Sequence, residues 1–179
     1  MTDDSDVALV LQCQGGDRRA FEVLLARHQR QVFGVAYRVL NHREDASDVT
    51  QTAFLQAYEH LDQYDPGQRF SSWLYRIAVN AAVDLTRVRQ RSEPLVDDVE
   101  SDRGGPDVLA VQGQSDSVVQ RALMTLKPEY RTVIVLKHLQ DCSYEEIAQI
   151  LDCAVKTVKS RLFTARQALR DVLLAKGAL

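Results

Sequence analysis

Between Val155 and Lys176 the chain carries six basic side chains against a single acid, Asp171. On a helix, Lys156, Lys159, Ser160, Phe163 and Arg166 share one face, because residues three and four apart are neighbours there. Val158 and Leu162 fall on the opposite side. Lysine and arginine donate to guanine edges and phosphates, serine bonds either, and an exposed phenylalanine can touch a thymine methyl. These residue types suit the reading of duplex DNA. Covalent chemistry has little support: His28, His42, His60 and His138 lie in no nucleophile motif, and no glycine-rich phosphate loop is present. Cys13, Cys142 and Cys153 form neither a CxxC pair nor a Cys/His cluster with zinc-ligand spacing, so no metal or cofactor is expected, and all three are read as small buried hydrophobes.

The elements needed to position these groups are helical. Apolar residues recur at three- and four-residue steps, and no long stretch alternates with period two. Ser143 and Glu146 form a capping box that opens a short helix, Tyr144 to Leu151, with Ile147, Ala148 and Leu151 on its inner face. Asp152-Cys153-Ala154 breaks the chain, and a second helix begins near Val155. This is the layout of a helix-turn-helix, whose second helix enters the major groove. Upstream, a short helix from about Val7 to Gln14 stops at Gly15-Gly16, and Asp17 can cap the next, which runs to Val39 and meets Asn41. A third helix spans about Glu44 to Gln63, before the turn Tyr64-Asp65-Pro66-Gly67. Ser71 or Ser72 opens a fourth, ending near Arg91. From Ser92 to Ser115 periodicity lapses among prolines, glycines and acids, which reads as an acidic flexible linker.

The chain of 179 residues is thus an all-α protein of two small helical domains, 1–93 and 116–179, joined by a linker at 94–115. Its net charge of −3 hides a sharp division. Residues 1–95 carry an excess of −2, residues 96–116 of −5, and residues 117–179 of +4. Acids crowd the third helix (Glu44, Asp45, Asp48, Glu59), whereas Arg69 to Arg91 contains five arginines against Asp84 alone. No apolar run approaches the roughly 20 residues that span a bilayer, and the acidic start lacks the features of a secretory signal. A cytoplasmic place is expected, with no membrane insertion and no small-molecule substrate.

Three segments of the second unit resemble the fourth region of extracytoplasmic-function (ECF) sigma factors of the sigma-70 family. They are Leu126-Lys127-Pro128-Glu129-Tyr130-Arg131, Cys142 to Ala148, and Thr157 to Phe163. In the first unit, Asp45 to Phe54 and Phe70 to Asn80 resemble the family's second region. The resemblance implies an alternative sigma factor, not an enzyme, that directs core RNA polymerase to −10 and −35 promoter elements and assists melting. It implies a polymerase-binding face at Asp48, Gln51, Thr52 and Leu55, docking on the clamp helices of the largest subunit, and a second contact with the polymerase flap. Helical spacing independently sets Asp48, Thr52 and Leu55 opposite Val49, Phe54 and Ala57.

By the same resemblance, Tyr64, Arg69, Phe70, Trp73, Arg76, Asn80 and Arg87 take the −10 element. Single strands are read by capturing bases on aromatics and amides while arginines hold the backbone, and these are the residue types for it. Trp73 and Phe70 at helical spacing fit a core equally well. The −35 element falls to Lys156, Lys159, Ser160, Arg161, Phe163 and Arg166. An anti-sigma protein is the further partner implied. The rival readings are a stand-alone helix-turn-helix regulator, which should show a dimerisation seam that the sequence lacks; a hydrolase; and a purely protein-binding adaptor, against which the basic helix speaks.

Overall fold

The computed structural model describes residues 4–92 and 114–175. The linker read from the sequence lies outside these apart from its last two residues, which belong to a helix. Among the described residues eight α-helices follow in order: α1 Asp4–Gln14, α2 Arg18–Leu40, α3 Arg43–Glu59, α4 Phe70–Ser92, α5 Gln114–Met124, α6 Pro128–His138, α7 Tyr144–Ile150 and α8 Val155–Ala175. A 3₁₀ turn, Leu61–Gln63, follows α3. Two helical domains result, α1–α4 and α5–α8.

In the first, α2 is the hub against which α1, α3 and α4 pack. Its Leu24, Val32, Val35 and Val39 are fully buried. Each such side chain contributes about 1.5–3 kcal/mol by leaving water. Asp17 caps α2 by accepting from the Arg19 N–H at 2.9 Å. At the far end Asn41, with φ 55°, donates its N–H to the Tyr37 carbonyl. Asparagine tolerates that left-handed conformation better than most residues.

Three boundaries differ from the sequence reading. α1 begins before Val7, and its Asp6 is buried, bonded to His28 at 2.8 Å and paired with Arg27. α3 ends at Glu59 rather than Gln63. The 3₁₀ turn then seats Leu61, whose carbonyl accepts from Gln14 of α1 at 2.9 Å. α4 begins at Phe70, its first turn closed by Trp73 N–H to Arg69 carbonyl, so Ser71 and Ser72 lie inside the helix and are buried instead of capping it.

In the second domain α8 is the hub, packed by α5, α6 and α7. The capping box forms as read: Glu146 N–H donates to Ser143 Oγ at 3.0 Å, and Ser143 N–H donates to Glu146 Oε2 at 2.7 Å. Asp152, at φ 46°, makes the break before α8. The inner faces hold Ile147, Ala148, Val158, Leu162 and Ala165, and Leu151 is half-buried. The two domains also meet, α6 and α5 lying on α2, and α7 and α6 on α4.

Candidate nucleic-acid interface

The helix-turn-helix presents its basic face to solvent. Lys156, Lys159, Ser160, Phe163 and Arg166 are all exposed on α8, with Phe163 at 67%. A phenylalanine so exposed has given up burial, which makes it the chief apolar contact this helix can offer. Arg161 is half-buried and stands off that ridge. Neighbouring helices add to the positive surface. Lys137 of α6 and Lys159 of α8 both lie over the Tyr144 ring, with Nζ 5.2 and 5.7 Å from its centre. Such cation–π contacts orient flexible ammonium groups. Arg166 Nε donates to His138 Nε2 at 3.3 Å. Burial, and then the Arg166 and Lys137 charges, hold His138 below its ordinary pKa. Tyr144, Lys137 and His138 escaped the sequence reading because they belong to other helices and meet α8 only in the fold.

The start of α4 is a second cluster. Tyr64, Phe70 and Trp73 are buried in one aromatic knot, with ring centres 5.4 to 5.8 Å apart. Tyr64 Oη donates to the Gln68 carbonyl at 2.7 Å and closes the loop ahead of the helix. These three side chains shape the loop; in this conformation no base can reach their faces. Arg76, Asn80 and Arg87 are exposed along the outer side of α4, and Arg87 lies 3.4 Å from Asp84. Arg69 is half-buried and lies 3.5 Å from Glu146 of α7. Arg89 pairs with Asp45 of α3 at 2.6 Å, which draws it away from the open arginine row.

The third cluster lies on α3. Asp48, Gln51, Thr52 and Leu55 are all exposed, Leu55 at 59%, while Val49, Ala53, Phe54 and Ala57 are buried behind them. Leu55 and the half-exposed Tyr58 flank an open groove of about 430 Å³ between α2 and α3, floored by Phe21 and Phe54. Phe21 packs edge-on against Tyr58 at 4.9 Å. Tyr58 and Phe21 extend the expected face, and the sequence reading assigned neither to it.

The thiols divide. Cys142 is buried, and burial followed by the nearby Glu146 charge pushes its pKa up to about 12. Cys13 and Cys153 are half-buried, short of the full burial expected of them.

Set beside known proteins, residues 24–92 match the family described as Sigma-70 region 2, and residues 117–169 match Sigma-70, region 4. The ECF RNA polymerase sigma-E factor of Escherichia coli K12 is 38% identical over 92% of each chain. The RNA polymerase sigma-H factor of Pseudomonas aeruginosa is 32% identical over 97% of this chain and 96% of its own. The chain belongs to the ECF sigma factors.

Among solved structures, CnrH, in complex with the cytosolic domain of CnrY, superposes with a TM-score of 0.72 at 31% identity, covering 96% of this chain and 98% of its own. The sigma factor RpoE of Bartonella quintana, solved with the anti-sigma factor NepR, gives 0.67 at 25% identity over 86% and 96%. An ECF sigma factor directs RNA polymerase to promoters, and that is the activity of this chain. The region 2 match spans most of α2 through α4, and the region 4 match most of α5 through most of α8. No described helix is long and apolar enough to cross a membrane.

Proposed function

We propose that residues 1–93 dock on core polymerase and take the −10 element, that 94–115 link the domains, and that 116–179 read the −35 element. The observation that carries this division is the presence on one chain of an outward basic recognition helix and, on the other domain, the exposed Asp48–Leu55 face. An acidic helix with one exposed leucine repels phosphates but complements a basic protein surface. Asp48, Gln51, Thr52 and Leu55 meet the clamp helices, and the second domain meets the flap. Lys156, Lys159, Ser160, Phe163 and Arg166 enter the major groove, with Arg161 at its edge. Arg69, Arg76, Asn80 and Arg87 hold the −10 strand; Tyr64, Phe70 and Trp73 form the wall beside it and receive a base only when their loop opens.

The factor works by binding alone, without catalysis or cofactor, in the cytoplasm where polymerase acts. Energy from captured non-template bases offsets their unstacking, a few kcal/mol for each flipped base. The related structures carry CnrY and NepR, and an anti-sigma protein covering the same faces is the natural inhibitor of this chain.

Multi-round transcription with purified core polymerase and a pool of genomic promoter fragments tests the reading. Discrete transcripts appearing only with this protein support it. Neither transcripts nor comigration with core would replace it with a stand-alone DNA-binding regulator.

A further inference from the structure

Helix α1 is tied to both ends of the segment that leads into α4. At the C-terminal end of α1, Gln14 Nε2 donates to the Leu61 carbonyl at 2.9 Å. Near its N-terminal end the buried Asp6 pairs with Arg27 and lies 2.8 Å from Nε2 of the buried His28. A carboxylate only accepts, so Nε2 carries the imidazole hydrogen and donates it. The His28 ring in turn sits 5.6 Å, centre to centre, from Phe70, the first residue of α4 and a member of the aromatic knot. Burial and then the Asp6 charge push the Tyr64 phenol up to about 12, so the same carboxylate also acts on the tyrosine of the loop. Stability alone does not account for the histidine. Its Nδ1 is buried with no hydrogen-bond partner among the described residues, and an unpaired buried polar atom weakens a fold. An aliphatic side chain would avoid that cost and leave Asp6 its pairing with Arg27.

We propose that Asp6 and His28 are positioning residues for −10 capture: with Gln14 they fasten α1 as a brace for the Tyr64–Phe70 loop and fix Phe70 as the wall against which a flipped base is received. Neither Asp6 nor His28 touches the strand. Leu61 is held by α1 and Phe70 is backed by His28, so opening is confined to the residues between them, Tyr64 included. The incoming base then meets a face already in place, which lowers the ordering cost of capture. This inference rests on the assignment of α4 to the −10 element.

The test uses full-length variants assembled with core polymerase and a labelled −10 non-template oligonucleotide. His28→Leu removes the donor and should weaken oligonucleotide binding by holoenzyme about tenfold, the scale of one hydrogen bond to a charged group. His28→Gln sets an amide N–H at nearly the same reach and should recover most of that loss. Gln14→Ala, at an exposed position that the fold tolerates, should weaken binding about threefold and carries the test if His28→Leu is unstable. Association with core, which uses the α3 face of the same domain, should stay at the wild-type level in all three. Trp73, the single tryptophan of the chain, reports on the knot directly: its emission should move to longer wavelength in His28→Leu and return in His28→Gln. Wild-type oligonucleotide binding in His28→Leu and Gln14→Ala overturns the brace, whether or not the emission moves. A parallel loss of core association overturns it too, because His28 would then serve only the stability of the domain. Failure of the −10 assignment is read separately, from Arg76→Ala: binding unchanged in that variant removes the assignment itself, whereas binding lost there but kept in His28→Leu removes only the brace.

Discussion

Replacing Arg131 with methionine isolates the most deeply buried cation among the described residues. The side chain is 5% exposed and donates to four backbone carbonyls. Leu123 is reached at 3.0 Å, Met124 at 3.2 Å and Leu126 at 3.0 Å, with Val39 of α2 as the fourth. Burial pushes its pKa down to about 10. Set against an ordinary value near ~12.5, that is roughly 3 kcal/mol disfavouring the charged form. Hydrogen bonds from a charged donor contribute about 1.5–3 kcal/mol each, so four of them give at least ~6 kcal/mol and outweigh the desolvation. Methionine fills similar space without donors, so all four carbonyls lose the guanidinium, and only that of Leu123 keeps a second donor, the Leu126 N–H at 3.1 Å. The net loss is therefore about 3 kcal/mol at the conservative end, the order found when one partner of a buried charge network is removed. For a chain of this size each kcal/mol moves Tm by ~2–4 °C, so the Tm should fall by roughly 6–12 °C. Arg131→Lys should recover little, since one ammonium cannot replicate a planar fork spanning four acceptors. Calorimetry on the full chain decides it. A methionine variant melting within ~2 °C of wild type would mean that burial costs as much as the bonds return, a balance known for some buried ions.

Phe163→Ala should weaken −35-dependent initiation about tenfold, the scale of one good groove contact, while leaving comigration with core intact; equal activity on promoters with and without the −35 element would remove Phe163 from the reader. Leu55→Asp places a charge where an apolar anchor is exposed, so association with core should fall about tenfold or more while Tm stays within ~1 °C, and a large loss of Tm instead would show that Leu55 serves the core. Native alkylation at pH 8, read by mass spectrometry, should modify Cys142 last, because its thiol is both buried and held near 12; rapid labelling of Cys142 would contradict the packing around α7. Burial raises Glu146, but bonds from Ser143 and Ser72 and the Arg69 charge more than cancel it and hold the carboxyl below its usual value. Its contribution is therefore complete above the unfolded pKa and lost as pH falls through the lower folded one, so the α4–α7 seam should loosen below about pH 4.5 in wild type, whereas Glu146→Gln should show no such step in Trp73 fluorescence.

Much of this molecule can be read from local pattern. The capping box at Ser143 and Glu146, the break at Asp152 and the basic ridge of α8 all depend on residues within a turn or two of one another, and they stand where spacing placed them. So does the outward side of α3, since a helical period alone separates Leu55 from Phe54. What spacing left undecided is which of two environments claims an ambiguous residue. Phe70 and Trp73 fit a base pocket or a core equally well in one dimension, and in this structure their burial is determined by Tyr64 across the loop. Ser71 and Ser72 resemble caps by type, yet Ser72 answers a carboxylate 74 positions away. Asp6 lies ahead of the expected start of α1 because its partner, His28, is on the next helix. Each of these was settled by contact between segments distant in sequence, which no local period encodes.

The charge division along the chain then acquires a physical role. A chain of net charge −3, with its basic groups spread over α2, α4 and α8, has little general attraction for DNA, because the acidic α3 and the acidic stretch 96–116 oppose it at long range. Two modest DNA sites on a tether become strong only when a third body fixes their spacing and each raises the effective concentration of the other. Polymerase is that body, and the acidic helix that weakens free DNA binding is the one proposed to dock on it. A factor built this way should leave promoters largely unoccupied on its own and select them only as part of holoenzyme, with no nucleotide hydrolysis required to enforce the order.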